Sequence, residues 1–252
     1  MSDFDRNVAA RGSFSDRAAA VDAGLRAHMI RVYNYMAAAV ALTGAVAWFT
    51  FQAAVVTNEA GAITGLTAFG QTIFSGPLMI VLMLGTLGLV FFLSFRIDKM
   101  QYTTAMTVFM VYAALLGVTL SSIFMVYTGA SITRVFFISA AAFGALSLWG
   151  YTTQRDLTGM GTFLFMGLIG LLIATVVNIF LKSSGLDFII SAAGVLIFAG
   201  ITAYDTQKIK EMFDSRDDVN SAGRKAVMGA LSLYLDFINL FLMLLRLVGD
   251  RR

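Results

Sequence analysis

Residues 157–181 read LTGMGTFLFMGLIGLLIATVVNIFL and contain no Asp, Glu, Lys or Arg. A helix of about 20 apolar residues is long enough to cross the hydrocarbon core of a bilayer. Hydrocarbon offers no partner for a free backbone N–H or C=O group, and a helix satisfies both groups within one stretch of chain. The segment therefore predicts a membrane-spanning helix.

Charge-free runs of similar length recur along the chain. They separate Arg31 from Glu59, Glu59 from Arg96, Lys99 from Arg134, and Arg134 from Arg155. Charged residues make up only 13% of the chain, against roughly a quarter in soluble domains. We therefore expect an all-α fold, a polytopic membrane bundle of seven transmembrane helices. The predicted spans are residues 30–56, 73–95, 102–127, 135–154, 157–181, 188–210 and 226–246.

These spans divide the chain into a polar N-terminal tail (1–29), a seven-helix transmembrane domain (30–246) and a short C-terminal tail (247–252). Thirteen Lys and Arg residues fall on the side of the N-terminal tail, and five fall on the opposite side. Positive residues concentrate in cytoplasmic loops, so we expect a multi-pass protein with a cytoplasmic N-terminus. Seven full spans would leave Arg251 and Arg252 outside, and a re-entrant last segment is the alternative.

Several classes of function are excluded by composition. The chain has no cysteine, and His28, its only histidine, precedes the first predicted span. This leaves the spans without thiolate chemistry, without a Ser-His dyad and without the usual zinc ligands. The net charge is only +3, with basic and acidic residues interspersed, so no nucleic-acid partner is predicted. We expect no cofactor, and membrane lipid as the surroundings.

Asp236 is the strongest functional signal in the sequence. It interrupts the apolar segment 226–245, about 15 Å from the inner end at about 1.5 Å per residue. An ionised carboxylate at this depth costs a few kcal/mol or more, so it pairs, takes up a proton or lines water. A hydrogen-bonded structural acid is the alternative interpretation.

Asp205 ends the charge-free run 188–204 in the neighbouring predicted span. The two spans are antiparallel, so Asp205 and Asp236 can face each other at similar depth, where they would titrate as a coupled pair. Two carboxylates with waters would form a weak, fast-exchanging site for calcium, which prefers oxygen ligands. The alternative interpretation of Asp205 is an ordinary residue near the membrane surface, whose side chain extends its charge to the inner interface.

Two further polar residues draw attention. Asn239 lies one turn after Asp236 on the same helix face, where an amide can form hydrogen bonds between helices. Arg96 begins a charged patch at the inner end of the second span. An arginine at such a position ordinarily extends its charge to the interface.

Two segments carry a family resemblance. Residues 198–209 read FAGITAYDTQKI, and residues 231–241 read LSLYLDFINLF. In this order they closely resemble the signature of the Bax inhibitor family, the transmembrane Bax-inhibitor-motif proteins, with bacterial members as the expected relatives. The resemblance implies a seven-helix fold with the last helix in the centre, a bacterial inner membrane, and a pH-sensitive calcium leak with calcium as the permeating ion.

The same resemblance implies roles for particular residues. Asp205, in the Tyr204-Asp205 dipeptide, and Asp236 match the proton-sharing pair of the family. Beside this pair, Tyr204 and Asn239 are our candidates for supporting polar residues. Arg96 matches a basic latch at the end of the second helix. Protonation or the latch would hold the pair closed, and ionisation would admit a cation.

Two other functions stay open. One is a non-enzymatic regulator that binds a membrane protease or channel as its protein partner. The other is an intramembrane aspartyl protease, because two facing aspartates can activate water. Leu233, Tyr234 and Leu235 stand where such proteases carry Gly-x-Gly before the aspartate, so we expect no enzyme activity.

Overall fold

The computed structural model describes residues 3–58 and 62–252, with side chains from residue 20 onward. The first two residues of the predicted tail, and Glu59 between the first two predicted spans, lie outside these ranges. The elements are α1 (Asp3–Ala54), β1 (Val55–Thr57), β2 (Ile63–Leu66), α2 (Ala68–Phe74), α3 (Leu78–Arg96), α4 (Tyr102–Leu120), α5 (Ile123–Val126), α6 (Gly129–Thr152), α7 (Thr158–Leu181), α8 (Ser184–Glu211) and α9 (Val219–Val248).

The predicted all-α membrane bundle is confirmed, since seven helical stretches within the described residues are long and apolar enough to cross a bilayer. They are Ala20–Ala54, Leu78–Lys99, Tyr102–Val126, Gly129–Thr152, Thr158–Leu181, Ser184–Glu211 and Val219–Val248. The last stretch is one unbroken helix of 30 residues, about 45 Å at about 1.5 Å per residue. A re-entrant last segment is therefore wrong.

Three helix boundaries differ from the predicted ones because local turn chemistry decides them. The second span begins at Leu78 and not at residue 73, since Pro77 precedes it as the N-cap and separates the short helix α2. The fourth begins at Gly129, where the Thr128 side chain accepts the N–H of Ser131. α1 runs without a break through the predicted boundary between residues 29 and 30.

The chain end identifies the two faces of the bundle. The backbone N–H of Arg252 donates to Val126 and that of Thr128 to Asp250, while Arg134 and Asp250 form an exposed ion pair at 2.8 Å. These contacts hold the C-terminus beside the connection between α5 and α6. We call this face the C-terminal side, and the opposite face, with the connection between α8 and α9, the N-terminal side.

Helix α9 carries the largest buried face of the seven spans and packs against α1, α4, α6 and α8. Its Tyr234 is fully buried and donates its hydroxyl to Thr43 of α1 at 2.7 Å. Thr43 in turn donates to the carbonyl of Ala113 in α4 at 2.9 Å. Three helices are thus joined inside the bundle by one chain of hydrogen bonds.

A second hydroxyl chain joins α1, α6 and α8. Tyr33 lies 2.6 Å from the hydroxyl of Ser147, which lies 2.8 Å from that of Thr206. Thr206 donates to the carbonyl of Thr202, so Ser147 donates to Thr206 and Tyr33 donates to Ser147. α6 and α8 approach closely here because Gly150 has no side chain, and a Cβ atom at this position would lie 2.2 Å from the carbonyl oxygen of Ala203.

We predict that Gly150→Ala destabilises the bundle, by about 1–3 kcal/mol as for other overpacked interiors. The neighbouring atoms are backbone atoms of Ala203, which cannot move aside without shifting α8. Gly144→Ala on the same helix is the matched control, since its Cβ would meet nothing within 4 Å. Thermal unfolding in detergent measures the effect, and equal unfolding temperatures for both variants would contradict the packing.

Candidate ion-binding site

A cavity of about 550 Å³ lies between α7, α8 and α9. Its walls include Phe165 and Leu168 from α7 and Phe198 from α8, together with several polar residues. The polar residues that line it are Thr162, Tyr204, Asp205, Lys208, Ser232, Asp236 and Asn239. Asp205 and Asp236 therefore face one common space.

Asp236 is the buried member of the two aspartates. Its side chain lies about 26 Å from the start of α9 and about 18 Å from its end, at about 1.5 Å per residue. The residue is 5% exposed, and its Oδ2 atom accepts no hydrogen bond within the part of the chain that the structure describes. A buried polar atom without a partner is costly in a native structure, which commonly signals a functional role or a bound water or ion.

Asp205 is half-buried and lies nearer the N-terminal side, in the last two turns of α8. Asp205 and Asp236 line the same cavity, so two negative charges there would repel each other. Lys208 lies three residues later on α8 and lines the same cavity. The cavity thus holds two acidic groups and one basic group.

The sequence did not lead us to expect Lys208 in this cavity. Its spacing of three residues from Asp205 was a usable signal, because residues at i and i+3 lie on one helix face. Nor did the sequence lead us to expect α7 as the third wall of the cavity. The span α7 contains no charged residue, so the charge pattern gave no reason to place it beside the aspartates.

Tyr204 and Asn239 line the cavity with the two aspartates. The Tyr204 ring packs where Gly161 of α7 leaves room, and a Cβ atom on Gly161 would lie 2.5 Å from that ring. The Asn239 amide donates to the carbonyl of Leu235 in its own helix at 2.8 Å. Tyr204 therefore holds α8 against α7, and Asn239 keeps its side-chain oxygen available to the cavity.

The structure does not bring Arg96 to the aspartates. Arg96 is exposed at the end of α3 and does not line the cavity. Among the described residues it forms no ion pair within 4.0 Å. The latch role of Arg96 stays a prediction, and Lys208 is the basic residue that the fold places at the pair.

The cavity offers oxygen ligands rather than a preformed metal cage. Within the described residues, no three His, Cys, Asp or Glu side chains cluster closely enough to hold a metal ion. Hydroxyl, amide and carboxylate oxygens of Thr162, Ser232, Asn239, Asp205 and Asp236 face the same space. Calcium normally takes six to eight oxygen ligands, so a calcium ion here would keep waters and bind weakly.

The loop between α8 and α9 carries acids whose titration lies far from neutral pH. Two hydrogen bonds from the Arg216 side chain and one from its backbone lower the pKa of Asp214 to about 2. Hydrogen bonds from Ser221 and Asn220 also lower the pKa of Asp218, which caps α9. Because the pKa of each group is lower in the folded protein than in the unfolded chain, these hydrogen bonds stabilise the fold above about pH 4. This stabilisation is lost as the pH falls further and the carboxylates take up protons. Asp214 and Asp218 are therefore ionised throughout the neutral pH range.

We predict that Asp205→Cys and Asp236→Cys, introduced together, can be cross-linked by a short bifunctional thiol reagent. The chain has no cysteine of its own, so the reaction reports only the introduced pair. Asp187→Cys with Asp236→Cys is the control, because Asp187 lies about 27 Å from Asp205 along α8 at about 1.5 Å per residue. Intramolecular cross-linking is measured by mass spectrometry of peptides, and an equal yield for both pairs would contradict the shared cavity.

Known proteins resemble this chain over nearly its whole length. The family described as inhibitor of apoptosis-promoting Bax1 matches residues 25–252. An uncharacterized protein of Rickettsia prowazekii, RP147, is 47% identical over 92% of each chain. The inner membrane protein YbhL of Escherichia coli K12 is 46% identical over 91% of this chain and 94% of its own. An uncharacterized protein of Caulobacter vibrioides is 42% identical over the full length of both chains.

Proposed function

This chain belongs to the Bax inhibitor family of multi-pass membrane proteins, and we propose that it is a pH-sensitive calcium leak gated by Asp205 and Asp236. The observation that carries the proposal is the unpartnered Oδ2 atom of Asp236, buried in a cavity that also holds Asp205. A non-enzymatic role follows, since the pair binds and releases ions without a reaction.

The gate is an electrostatic two-state element. When the pair holds a proton, one carboxyl group donates to the other and the two side chains stay together. When both groups are ionised, they repel each other in a space with little water, and a divalent cation offsets both charges. Proton and calcium therefore compete for the same oxygens, and flux rises with pH.

The position of Lys208 supports a one-sided entrance to this gate. Lys208 is exposed and Asp205 half-buried, whereas Asp236 is buried. A cation from the N-terminal side would meet Lys208 and Asp205 before Asp236. The positive charge of Lys208 then disfavours a second cation beside Asp205, which would keep the leak slow.

We predict that Asp236→Asn and Asp205→Asn each remove the pH dependence of calcium flux into proteoliposomes. A proton-controlled gate changes its open population by up to about tenfold per pH unit, and a single remaining carboxylate cannot form the pair. Flux is measured with an entrapped calcium indicator at several pH values between 6 and 8.

Asp187→Asn is the matched control for both variants, because Asp187 lies on the same helix but at its far end, 3.8 Å from Arg251. It is expected to keep the wild-type pH response. The gate would be disproved by wild-type pH dependence in both Asp205→Asn and Asp236→Asn.

We also propose a cytoplasmic N-terminus in an inner membrane, from the excess of basic residues on the N-terminal side. The prediction is that Ser215→Cys, in the loop between α8 and α9, is protected from an impermeant maleimide in spheroplasts. Arg252→Cys, at the chain end on the opposite side, is expected to react. Labelling before and after lysis measures this, and the reverse pattern would place the N-terminus outside.

A further inference from the structure

Two cavities lie along the seam between α1 and α6, where Ile30, Phe137 and Leu148 are exposed on the surface of the bundle, and we call this seam the groove. It contains a cavity of about 530 Å³ toward the C-terminal side, with Gly44 and Trp48 of α1 and Phe137 of α6 in its walls. A second cavity of about 460 Å³ lies between the same helices toward the N-terminal side, with Arg26 of α1 and Gly144 of α6 in its walls. Both volumes lie in the range of ligand pockets, about 300–1,000 Å³.

The groove exists because α1 and α6 both pack against α9 and touch each other only sparsely, at contacts such as the hydrogen bond between Tyr33 and Ser147. Glycines mark the difference between packed and open faces. A Cβ atom on Gly117 or Gly150 would clash with the backbone of a neighbouring helix, whereas a Cβ on Gly44 or Gly144 would meet nothing within 4 Å. The open glycines deepen the groove, and nothing from the described part of the chain fills it.

The cavity toward the N-terminal side combines an apolar wall with a basic mouth. Met29, Ile30, Phe143 and Leu148 supply apolar surface within two membrane spans. Arg26 is exposed at the mouth and forms no ion pair within 4.0 Å among the described residues, Asp22 included.

A second cation contacts a residue of the same cavity. Lys210 of α8 donates to the carbonyl of Tyr151 at 3.0 Å, and its ammonium lies 5.3 Å from the centre of the Tyr151 ring. Tyr151 itself lines the cavity. The mouth therefore favours a negatively charged group, and the wall favours a hydrocarbon chain.

We propose that this groove binds an anionic phospholipid of the leaflet on the N-terminal side. Its phosphate pairs with Arg26, with Lys210 adding positive charge, and one acyl chain lies against Ile30, Phe143 and Leu148. The bilayer supplies this ligand at high local concentration, and a single basic residue near the membrane surface changes the affinity for anionic lipid about fivefold. The proposal does not depend on ion flux through the bundle.

Tryptophan quenching by lipids with brominated acyl chains tests the site. The chain has two tryptophans, and Trp48→Phe leaves Trp149, which follows the groove residue Leu148 on α6. The protein is reconstituted in phosphatidylcholine bilayers that contain a small fraction of brominated phosphatidylglycerol or of brominated phosphatidylcholine. Stronger quenching by the anionic lipid at equal fraction is expected, with an apparent preference of about fivefold for each cation involved.

Two variants in this Trp48→Phe background separate the site from general lipid contact. Arg26→Gln removes the charge and is expected to abolish most of the preference, while Gly144→Leu fills the groove and is expected to abolish it without changing charge. Lys99→Gln, exposed on the same side but outside the groove, and Gly170→Leu, on an open face of α7, are the matched controls.

The outcomes are distinct. Equal quenching by both lipids in the Trp48→Phe protein, or a preference that survives both Arg26→Gln and Gly144→Leu, overturns the proposal. Soluble glycerol phosphate added in excess distinguishes a free phosphate site from a lipid site. A lipid site keeps its preference because the acyl chain contributes to binding, whereas loss of the preference on addition would also overturn the proposal.

Discussion

A carboxylate in the middle of a membrane-spanning helix has no bulk water to hydrate it, and this constraint shapes the bundle around α9. Leaving a charge at the bilayer centre costs a few kcal/mol or more. Asp236 is accordingly turned away from lipid, into a cavity whose polar lining comes from three helices. On the other faces of α9, Tyr234, Leu233 and Leu240 are buried tightly. One helix therefore combines a tightly packed face with a polar face that carries the buried acid.

Small residues decide where the helices touch and where they remain apart. In lipid, helix contact depends on close van der Waals packing, because hydrocarbon outside the bundle is as apolar as the side chains inside. Gly117, Gly150 and Gly161 let α1 meet α4, α6 meet α8, and α7 meet α8 at distances that any side chain would prevent. Gly44 and Gly144 face open space instead. The same residue type thus builds tight interfaces in one place and a groove in another.

The number and approximate position of the spans could be predicted from the sequence, because the spacing of charges reports depth along the membrane normal. The two aspartates could be singled out for the same reason, since a charge at depth is rare. Depth does not say which helices are neighbours, so neither the contribution of α7 to the cavity nor the distance of Arg96 from it could be predicted. The role of Lys208 in the cavity could not be predicted either, because a lysine near the end of a membrane-spanning helix is ordinarily explained as an interfacial residue.

The placement of α9 links the polar cavity to the lipid-facing groove. Asp236 lines the cavity between α7 and α8, while the next two residues, Phe237 and Ile238, line the groove between α1 and α6. Successive residues of a helix point about 100° apart at 3.6 residues per turn, so the two openings lie on different sides of one rod. Tyr234 donates a hydrogen bond to Thr43 of α1, and this bond fixes the rotation of that rod. A rotation of α9 that changed the surroundings of Asp236 would break the hydrogen bond between Tyr234 and Thr43 and would also move Phe237 and Ile238 in the wall of the groove. The surroundings of the acid and the shape of the groove are therefore coupled through one helix.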